Sequence, residues 1–389
     1  MQHLLCINIG SSGLKFGVFA FSAIEAMEIL RGSAKHGDDQ GSVIVIKHGD
    51  ESFRYEVMDR DIQTLIKETV IRLRDVFSVQ VNCIVHRLVH GGPDHKTPVL
   101  LTNSVIHTLE GYKPLAPSHL PAALAAIQVC RNLFPGVQQV GCFDTAFHRY
   151  LPVVAQTLPI NQRFYPLVQR YGFHGLSYEY VFSKIREGHP EAEKLKIIIA
   201  HLGSGASMAA IADGKCVETT MGFTPEGGLM MSSRTGDIDP GLLLYLLEDK
   251  QFSIEQLKDF INKEGGIKGV AGVTGSLEEL IALPDNEKAR LAVQMFCYHA
   301  KKHLGALIAV LGGLDLLVFT GGIGENIPLV REKICSQMKF AGIEMSDTLN
   351  RANSAFISDD KSKVKVVVIK ANEELQMARN AIKLLNGQQ

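Results

Sequence analysis

One device occurs twice in this chain, and it limits the available folds more than any other feature. Residues 4–9 form an apolar run that stops at Gly10-Ser-Ser-Gly13, and residues 14–21 are apolar again. Residues 196–202 repeat the pattern, stop at Gly203-Ser-Gly205 and resume as 206–212. Each copy reads as strand, glycine turn, strand. Gly10 and Gly203 lie 193 residues apart in a chain of 389, so the device recurs at about half the chain length. We read it as an internal duplication, one copy to each half.

The segments between the copies keep the same style. Strand patterns fall at 42–47, 82–89 and 138–143, with helical periodicity at 59–76 and 121–132. In the second half, Asp213-Gly-Lys215 predicts a hairpin turn into a strand at 216–220. A long helix is expected at 286–311, then a strand at 314–320 running into Gly321-Gly-Ile-Gly-Glu-Asn326. Asn326 is expected to cap the next helix, with Pro328 in its first turn. A basic, valine-rich strand at 363–370 precedes Asn372-Glu-Glu374, which caps a final helix whose first turn holds acids favoured by the helix dipole. Strands and helices alternate, so the class is α/β. The length calls for two domains, and halving places their boundary near residue 148.

Composition excludes several function classes. Hydrophobic residues make up 46% and charged residues 21%, as in soluble globular proteins with real cores. A net charge of −1 carries no overall field for nucleic acid or a membrane surface, so any anion must be held by locally placed groups. The seven cysteines form no CxxC pair and fall mostly in apolar runs, which is expected of reduced, buried thiols. Residues 1–10 lack the pattern of a signal peptide. No apolar run approaches the roughly 20 residues of a membrane span. The expectation is a soluble, cytoplasmic protein.

The chemistry is carried by short stretches. No Walker-type GxxxxGK(S/T) occurs, so phosphate would have to be held by other turns. Gly10–Gly13, Gly203–Gly205 and Gly321–Gly324 are candidates, because glycine lets backbone N–H groups approach an anion closely. Taken singly, each is as readily a plain turn. Lys15 follows the first turn, either as a phosphate contact or as a solvated strand lysine. Arg87 ends an apolar strand in HRLVHGG, and Arg234 stands in SRTGD among small residues. Guanidinium groups suit bidentate contact with carboxylate or phosphate. Asp144 follows the 138–143 strand, at the end where open α/β sheets bind ligands. His174, between Phe173 and Gly175, is by itself as readily structural. There is no HExxH, no zinc spacing and no GxSxG nucleophile elbow.

As an ordered set these stretches are specific. HRLVHGG (86–92), FDTAFH (143–148), YGFHG (171–175), HLGSG (201–205), MGFTP (221–225), DPG (239–241), GIGEN (322–326) and NEEL (372–375) follow one another as in the acetokinase family. From Asn8 to Glu374 the chain resembles that family, within the actin-like, sugar-kinase superfamily. The resemblance implies two duplicated actin-like, ribonuclease H-like βββαβαβα domains around a central cleft. They would comprise residues 1–147 with 375–389, and residues 148–374. It further implies Mg²⁺ or Mn²⁺, ATP and ADP, a short-chain carboxylate substrate and a homodimer formed through the second domain.

Carried over by position, Arg87 and Arg234 bind the carboxylate and the transferring phosphoryl group, and His174 hydrogen-bonds that group. Asp144 orients the arginines or metal-bound water. Asn8, Ser11 and Lys15 belong to the first phosphate turn, and His201, Gly203, Ser204 and Gly205 to the second. Gly322, Ile323, Gly324 and Asn326 line the adenosine site. Glu373, helped by Asn8, is the expected metal ligand. Val89, Ser118, Phe173 and Pro225 surround the small alkyl group of the acid.

Three departures stand out. Gly13 replaces a serine of the family pattern, Ser204 replaces the asparagine of HLGNG, and Ser118 stands in APSHL (116–120) where the family reads APLHN. The last opens and polarises one wall of the acid pocket, a change expected to shift preference towards propionate or a slightly larger or polar acid. The competing readings are a pyrophosphate-dependent acyl kinase, a non-catalytic nucleotide-binding relative, and a sugar kinase. The glycine loop 321–326 argues against the first, and the two arginines with Asp144 and His174 against the second. A sugar kinase needs a base for a hydroxyl rather than arginines for an anion.

Overall fold

Buried positions in the first strand do not alternate, because its sheet is covered on both faces. The structure is a computed structural model and describes residues 2–10, 13–22, 25–36, 41–59 and 61–387. In it β1 (Gln2–Gly10) is buried from Leu4 through Ile9. The chain forms two compact units, which are described separately.

The first unit comprises Met1–Phe147, Gly175–Tyr180 and Asn372–Gln389. Its sheet contains β1, β2 (Gly13–Phe21), β3 (Ala26–His36), β4 (Ser42–His48), β5 (Glu51–Val57), β6 (Val81–Leu88), β7 (Val99–Leu100) and β8 (Gln138–Phe143), in the order β5-β4-β3-β2-β1-β6-β8-β7. β1 to β5 form an antiparallel meander. β6 then joins β1 in parallel, and β8 joins β6 in parallel. One face packs against the helices Ile62–Asp75 and Leu120–Leu133 through residues such as Leu65, Val70, Ala126 and Cys130. The C-terminal helix Glu373–Leu385 covers the opposite face, where Met377, Ala378, Ala381 and Ile382 meet Leu4, Cys6, Phe19 and Val85.

The second unit comprises His148–His174 and Val181–Ala371. Its sheet runs β11 (Lys215–Thr219), β10 (Ala206–Ala212), β9 (Ile197–Leu202), β12 (Leu316–Thr320), β13 (Lys365–Val368). Two antiparallel pairings are again followed by two parallel ones. This is the pattern of β3-β2-β1-β6-β8, so the duplication read from two glycine turns extends to five strands. Asp213 and Gly214 adopt φ of +49° and +70°, the geometry of a tight hairpin turn, as the sequence predicts. The expected long helix spans Glu287–Leu311, with the Asn286 side chain accepting from Ala289 N at 3.1 Å. Its buried residues, among them Ala289, Val293, Phe296, Ala300, Leu304 and Leu307, recur at helical spacing and pack on the sheet.

Three strands escaped the sequence reading. Among its described residues β3 buries only Leu30 and Ala34, set among charged and small residues, β5 alternates half-buried and exposed residues with charges between them, and β7 is two residues long. One cap was misplaced. Asn326 ends a short helix, Gly321–Asn326, and the next helix, Pro328–Cys335, is capped at Ile327 with Pro328 in its first turn.

Two histidines lie deep in these cores. His86 Nε2 donates to Gln139 Oε1 at 2.7 Å, and His148 Nε2 donates to the Phe173 carbonyl at 2.9 Å. Burial lowers both pKa values to about 4, against the partial support of those hydrogen bonds for the charged form. The folded values lie below the ordinary value of about 6.5, so the unfolded chain takes up the protons first on acidification. Stability from these groups is fully present above about pH 6.5 and is lost as pH falls towards 4, at up to roughly 1.4 kcal/mol per unit and histidine. Denaturation midpoints measured from pH 7 to pH 4 should fall accordingly, and His86→Gln should flatten the slope. An unchanged slope in that variant would assign the acid sensitivity elsewhere.

Candidate active site

Parallel pairing determines which side chains meet in the first unit. β1, β6 and β8 run the same way, so their carboxyl ends lie side by side. Asn8 is near the end of β1, Arg87 is the penultimate residue of β6, and Asp144 directly follows β8. Arg87 grips Asp144 through Nε at 3.1 Å to both carboxylate oxygens and through Nη2 at 2.6 Å. Its Nη1 donates to Asn8 Oδ1 at 2.9 Å. The N-terminus of the final helix brings in Glu373 and Glu374, which accept from Asn8 Nδ2 at 3.2 and 3.1 Å. Glu373 also lies 3.7 Å from Arg87 Nη1. Burial works against the charge on Arg87, but Asp144, Glu373 and Glu374 outweigh it and raise its pKa.

The second unit repeats this logic with other residues. His201 sits near the end of β9 and pairs in register with Thr320 of β12, whose chain continues into Gly321 and Gly322. Across the hairpin His201 faces Ser207 of β10. His174 has left-handed backbone, φ +58°, and starts the helix Gly175–Gly188. Its ring stacks on His201 with centroids 4.3 Å apart, and its Nδ1 lies 2.7 Å from Ser207 Oγ. Arg234 is anchored by Nη1 donating to the Pro225 carbonyl at 2.6 Å. A Cβ added to Gly205 would stand 2.6 Å from Arg234 Nη2 and 3.1 Å from His174 Nε2. A cationic donor and an imidazole therefore converge on a position that only glycine leaves open.

Beside this turn is a pocket of about 1140 Å³, contained within the second unit. Gly203, Ser204, Gly322, Ile323 and Asn326 line it, together with Ser232, Gly275, Leu277, Ile281, Leu329 and Pro328. Gly324 is the correction. It is buried and faces Phe319, Ala200 and Leu202, so it packs the loop against the sheet rather than lining the pocket. Two residues the sequence reading missed hold this loop. Glu325 Oε1 accepts from Gly321 N at 2.9 Å and Ala371 N at 3.0 Å. Arg331, fully buried, donates to the carbonyls of Gly324 and Glu325 and to Asn350 and Asn353, all neutral oxygens. No motif marks Arg331, since an arginine inside a helical pattern ordinarily reads as surface.

The remaining expected residues fall in both units. Lys15 is exposed on β2, opposite Asn8. Ser11 lies outside the described residues. Val89 and Phe173 are buried, each in its own unit, Pro225 is buried beside Arg234, and Ser118 is exposed ahead of the helix Leu120–Leu133.

A magnesium ion was expected on Glu373 and Asn8. Among the described residues no group of three or more His, Cys, Asp or Glu side chains is ready-made for a metal. The donor set nevertheless suits Mg²⁺, which binds through one or two carboxylates and takes its other ligands from water and substrate phosphates. Glu373 is half-buried, and three carboxylates face a single guanidinium, leaving negative charge for a cation to offset. Arginine only donates, so it claims Asn8 Oδ1 and turns the amide N–H₂ towards the glutamates. Asn8 therefore links Arg87 to Glu373 and Glu374.

Two units on one strand plan, each with a glycine turn at the carboxyl end of its first strand, define the class: the α/β, actin-like ATPase fold. The acetokinase family model matches residues 3–379. The acetate kinase of Nitrobacter hamburgensis is 41% identical over 394 residues, spanning 99% of this chain and 96% of that protein. Among solved structures, Porphyromonas gingivalis acetate kinase superposes with a TM-score of 0.88 at 35% identity, covering 99% of this chain and 100% of that one. A propionate kinase from Francisella tularensis reaches 0.90 at 30% identity, covering 98% and 99%. The chain belongs to the acetokinase family.

The convergence on Gly205 is directly testable. Gly205→Ala would meet the mobile end of Arg234 before any backbone, so the fold should survive with its melting temperature little changed. Displacing a catalytic group by about 1 Å costs on the order of 10²-fold, and kcat/KM should fall by about that factor. Wild-type kinetics in a folded Gly205→Ala protein would remove Arg234 and His174 from the chemistry.

Proposed function

We propose that this protein transfers the γ-phosphoryl group of ATP to a carboxylate oxygen of acetate or propionate, reversibly, giving an acyl phosphate and ADP. The observation that carries the reading is the meeting of Arg234 and His174 over Gly205, beside a pocket with room for a nucleotide. A pyrophosphate donor would leave most of that pocket unused.

A carboxylic acid with a pKa near that of Glu, about 4.3, is already ionised at neutral pH, so the nucleophile needs no general base. Its oxygen forms the new P–O bond as the bond to the ADP oxygen breaks, and no proton has to move. The obstacle is electrostatic, because an anion must approach a polyanion. In this reading Arg87 and Arg234 hold the carboxylate and the transferring phosphoryl group, and His174 donates to an equatorial oxygen where charge develops. Asp144, clamped by Arg87, orients that guanidinium and is not a proton acceptor. Glu373 would hold Mg²⁺, which when bound offsets phosphate charge. Val89, Ser118, Phe173 and Pro225 remain the proposed walls around the alkyl group.

The protein as proposed is a cytoplasmic homodimer. All seven cysteines are free and buried, the state expected in a reducing compartment. Among the described residues, no helix is long and apolar enough to cross a membrane. The second unit exposes Val153, Val154, Phe164, Leu244, Tyr245 and Tyr298, apolar surface that supports an interface there.

Hydroxylamine trapping with Mg-ATP and acetate, propionate, butyrate or glycerol tests the reaction. Acyl hydroxamate is expected from acetate or propionate and not from glycerol. Silence from every acid, with ATP still bound, would turn the reading towards a non-catalytic nucleotide binder.

The same assay measures what Ser118 does. One methylene is worth about 1–3 kcal/mol in a hydrophobic pocket, so Ser118→Leu should move the kcat/KM ratio towards acetate without abolishing propionate turnover. An unchanged ratio in an acetate-preferring enzyme would rule out the proposed shift.

A further inference from the structure

We propose that Ser207 is a positioning residue that selects the tautomer of His174. Its hydroxyl donates to Nδ1, so that the ring proton stays on Nε2. The proposal rests on the phosphoryl-transfer reading of the site for its meaning, but not for its test.

The two nitrogens of His174 have different surroundings. Nδ1 lies 2.7 Å from Ser207 Oγ, a full hydrogen bond, and Nε2 points to the space beside Gly205 shared with Arg234 Nη2. Ring stacking on His201 restricts rotation, so the nitrogens cannot readily exchange places. Ser207 is held just as firmly. It is fully buried on β10, in register opposite His201, within the glycine hairpin that forms the turn. A buried hydroxyl on a central strand has little freedom except rotation about its own C–O bond.

That rotation is the switch. A serine hydroxyl can donate to an unprotonated Nδ1 or accept from a protonated one. In a neutral imidazole, the choice at Nδ1 dictates the state of Nε2. If Ser207 accepts, Nε2 presents a lone pair, which repels the anionic oxygens that Arg234 gathers. If Ser207 donates, Nε2 presents an N–H to those oxygens without the ring having to carry a charge. Only the second arrangement makes His174 a donor to the transferring phosphoryl group across the pH range in which it is neutral. The same oxygens would in turn favour the Nε2–H form, so substrate and Ser207 reinforce one another.

The experiment is long-range ¹H–¹⁵N correlation NMR on the full chain labelled with ¹⁵N-histidine, with His174 assigned by its loss in His174→Gln. Ser207→Ala and Ser207→Thr are compared with the parent protein, and steady-state kinetics are run on the same samples. The parent should show His174 as the Nε2–H tautomer. Ser207→Ala should give a mixture, with kcat about tenfold to a hundredfold lower and both KM values within a small factor. That loss is no larger than the roughly 10²–10³ that follows complete removal of a transition-state donor. Ser207→Thr, which keeps the hydroxyl and suits a strand, should restore the tautomer and most of kcat.

A parent protein with the Nδ1–H form overturns the proposal outright, whatever the kinetics. So does Ser207→Ala that keeps both the tautomer and the rate, or Ser207→Thr that regains the tautomer but not kcat. A correct tautomer response in a protein that phosphorylates no acid would leave Ser207 in its positioning role and sink the carboxylate-kinase reading instead.

Discussion

Parallel pairing at the centre of each sheet is the constraint on which the rest depends. β6 joins β1 and β8 joins β6 in parallel, and β12 and β13 repeat this beside β9. Parallel strands need a crossover, so their carboxyl ends gather at one edge while the connecting helices cover the faces. Residues nearly 80 apart, such as Asn8 and Arg87, then come within hydrogen-bonding distance without any local signal. The antiparallel hairpins before these strands place the glycine turns at the same edge. Position at a strand end, more than any single motif, sets where Arg87, Asp144 and His201 stand.

The two clusters handle charge in opposite ways. In the first unit, Arg87 is surrounded by Asp144, Glu373 and Glu374, and its cationic form is strengthened. Breaking such a buried pair by removing one partner is far costlier than the pair's net contribution to stability, which explains why Asp144 can be buried at all. In the second unit Arg234 is anchored to a neutral oxygen, the Pro225 carbonyl. Arg331 is a third solution: a buried guanidinium distributed over neutral oxygens, bracing the loop from Gly321 to Asn326.

Much of this was legible beforehand, for stated reasons. The twin glycine turns, the 286–311 helix and the Asp213-Gly hairpin are local, and local propensity decides them. Arg87, Asp144, His174 and Arg234 stood out as candidates because the stretches that hold them follow one another in one family's order. The reading failed where a residue's role depends on a distant partner. Gly324 lies in a glycine-rich loop like its neighbours, yet the sheet beneath it decides that it packs inward. Nothing local to Asn8 tells that its oxygen meets Arg87 and its amide N–H₂ meets Glu373. β3 and β5 carry charges in the middle of strands, which only pairing into the meander makes sense of.

By itself the sequence determined the class of the fold, the halving of the chain and the types of side chain available for anion chemistry. Those depend on periodicity, on glycine at turns and on residues that keep their charge in any setting. Only the tertiary structure decided which oxygen faces which donor: the clamp of Arg87 on Asp144, the turning of the Asn8 amide, and the meeting of His174, Ser207 and Arg234 around Gly205. A hydrogen bond is sensitive to tenths of an ångström and to direction. That precision comes from strand register and packing across hundreds of residues, and no local stretch of chain contains it.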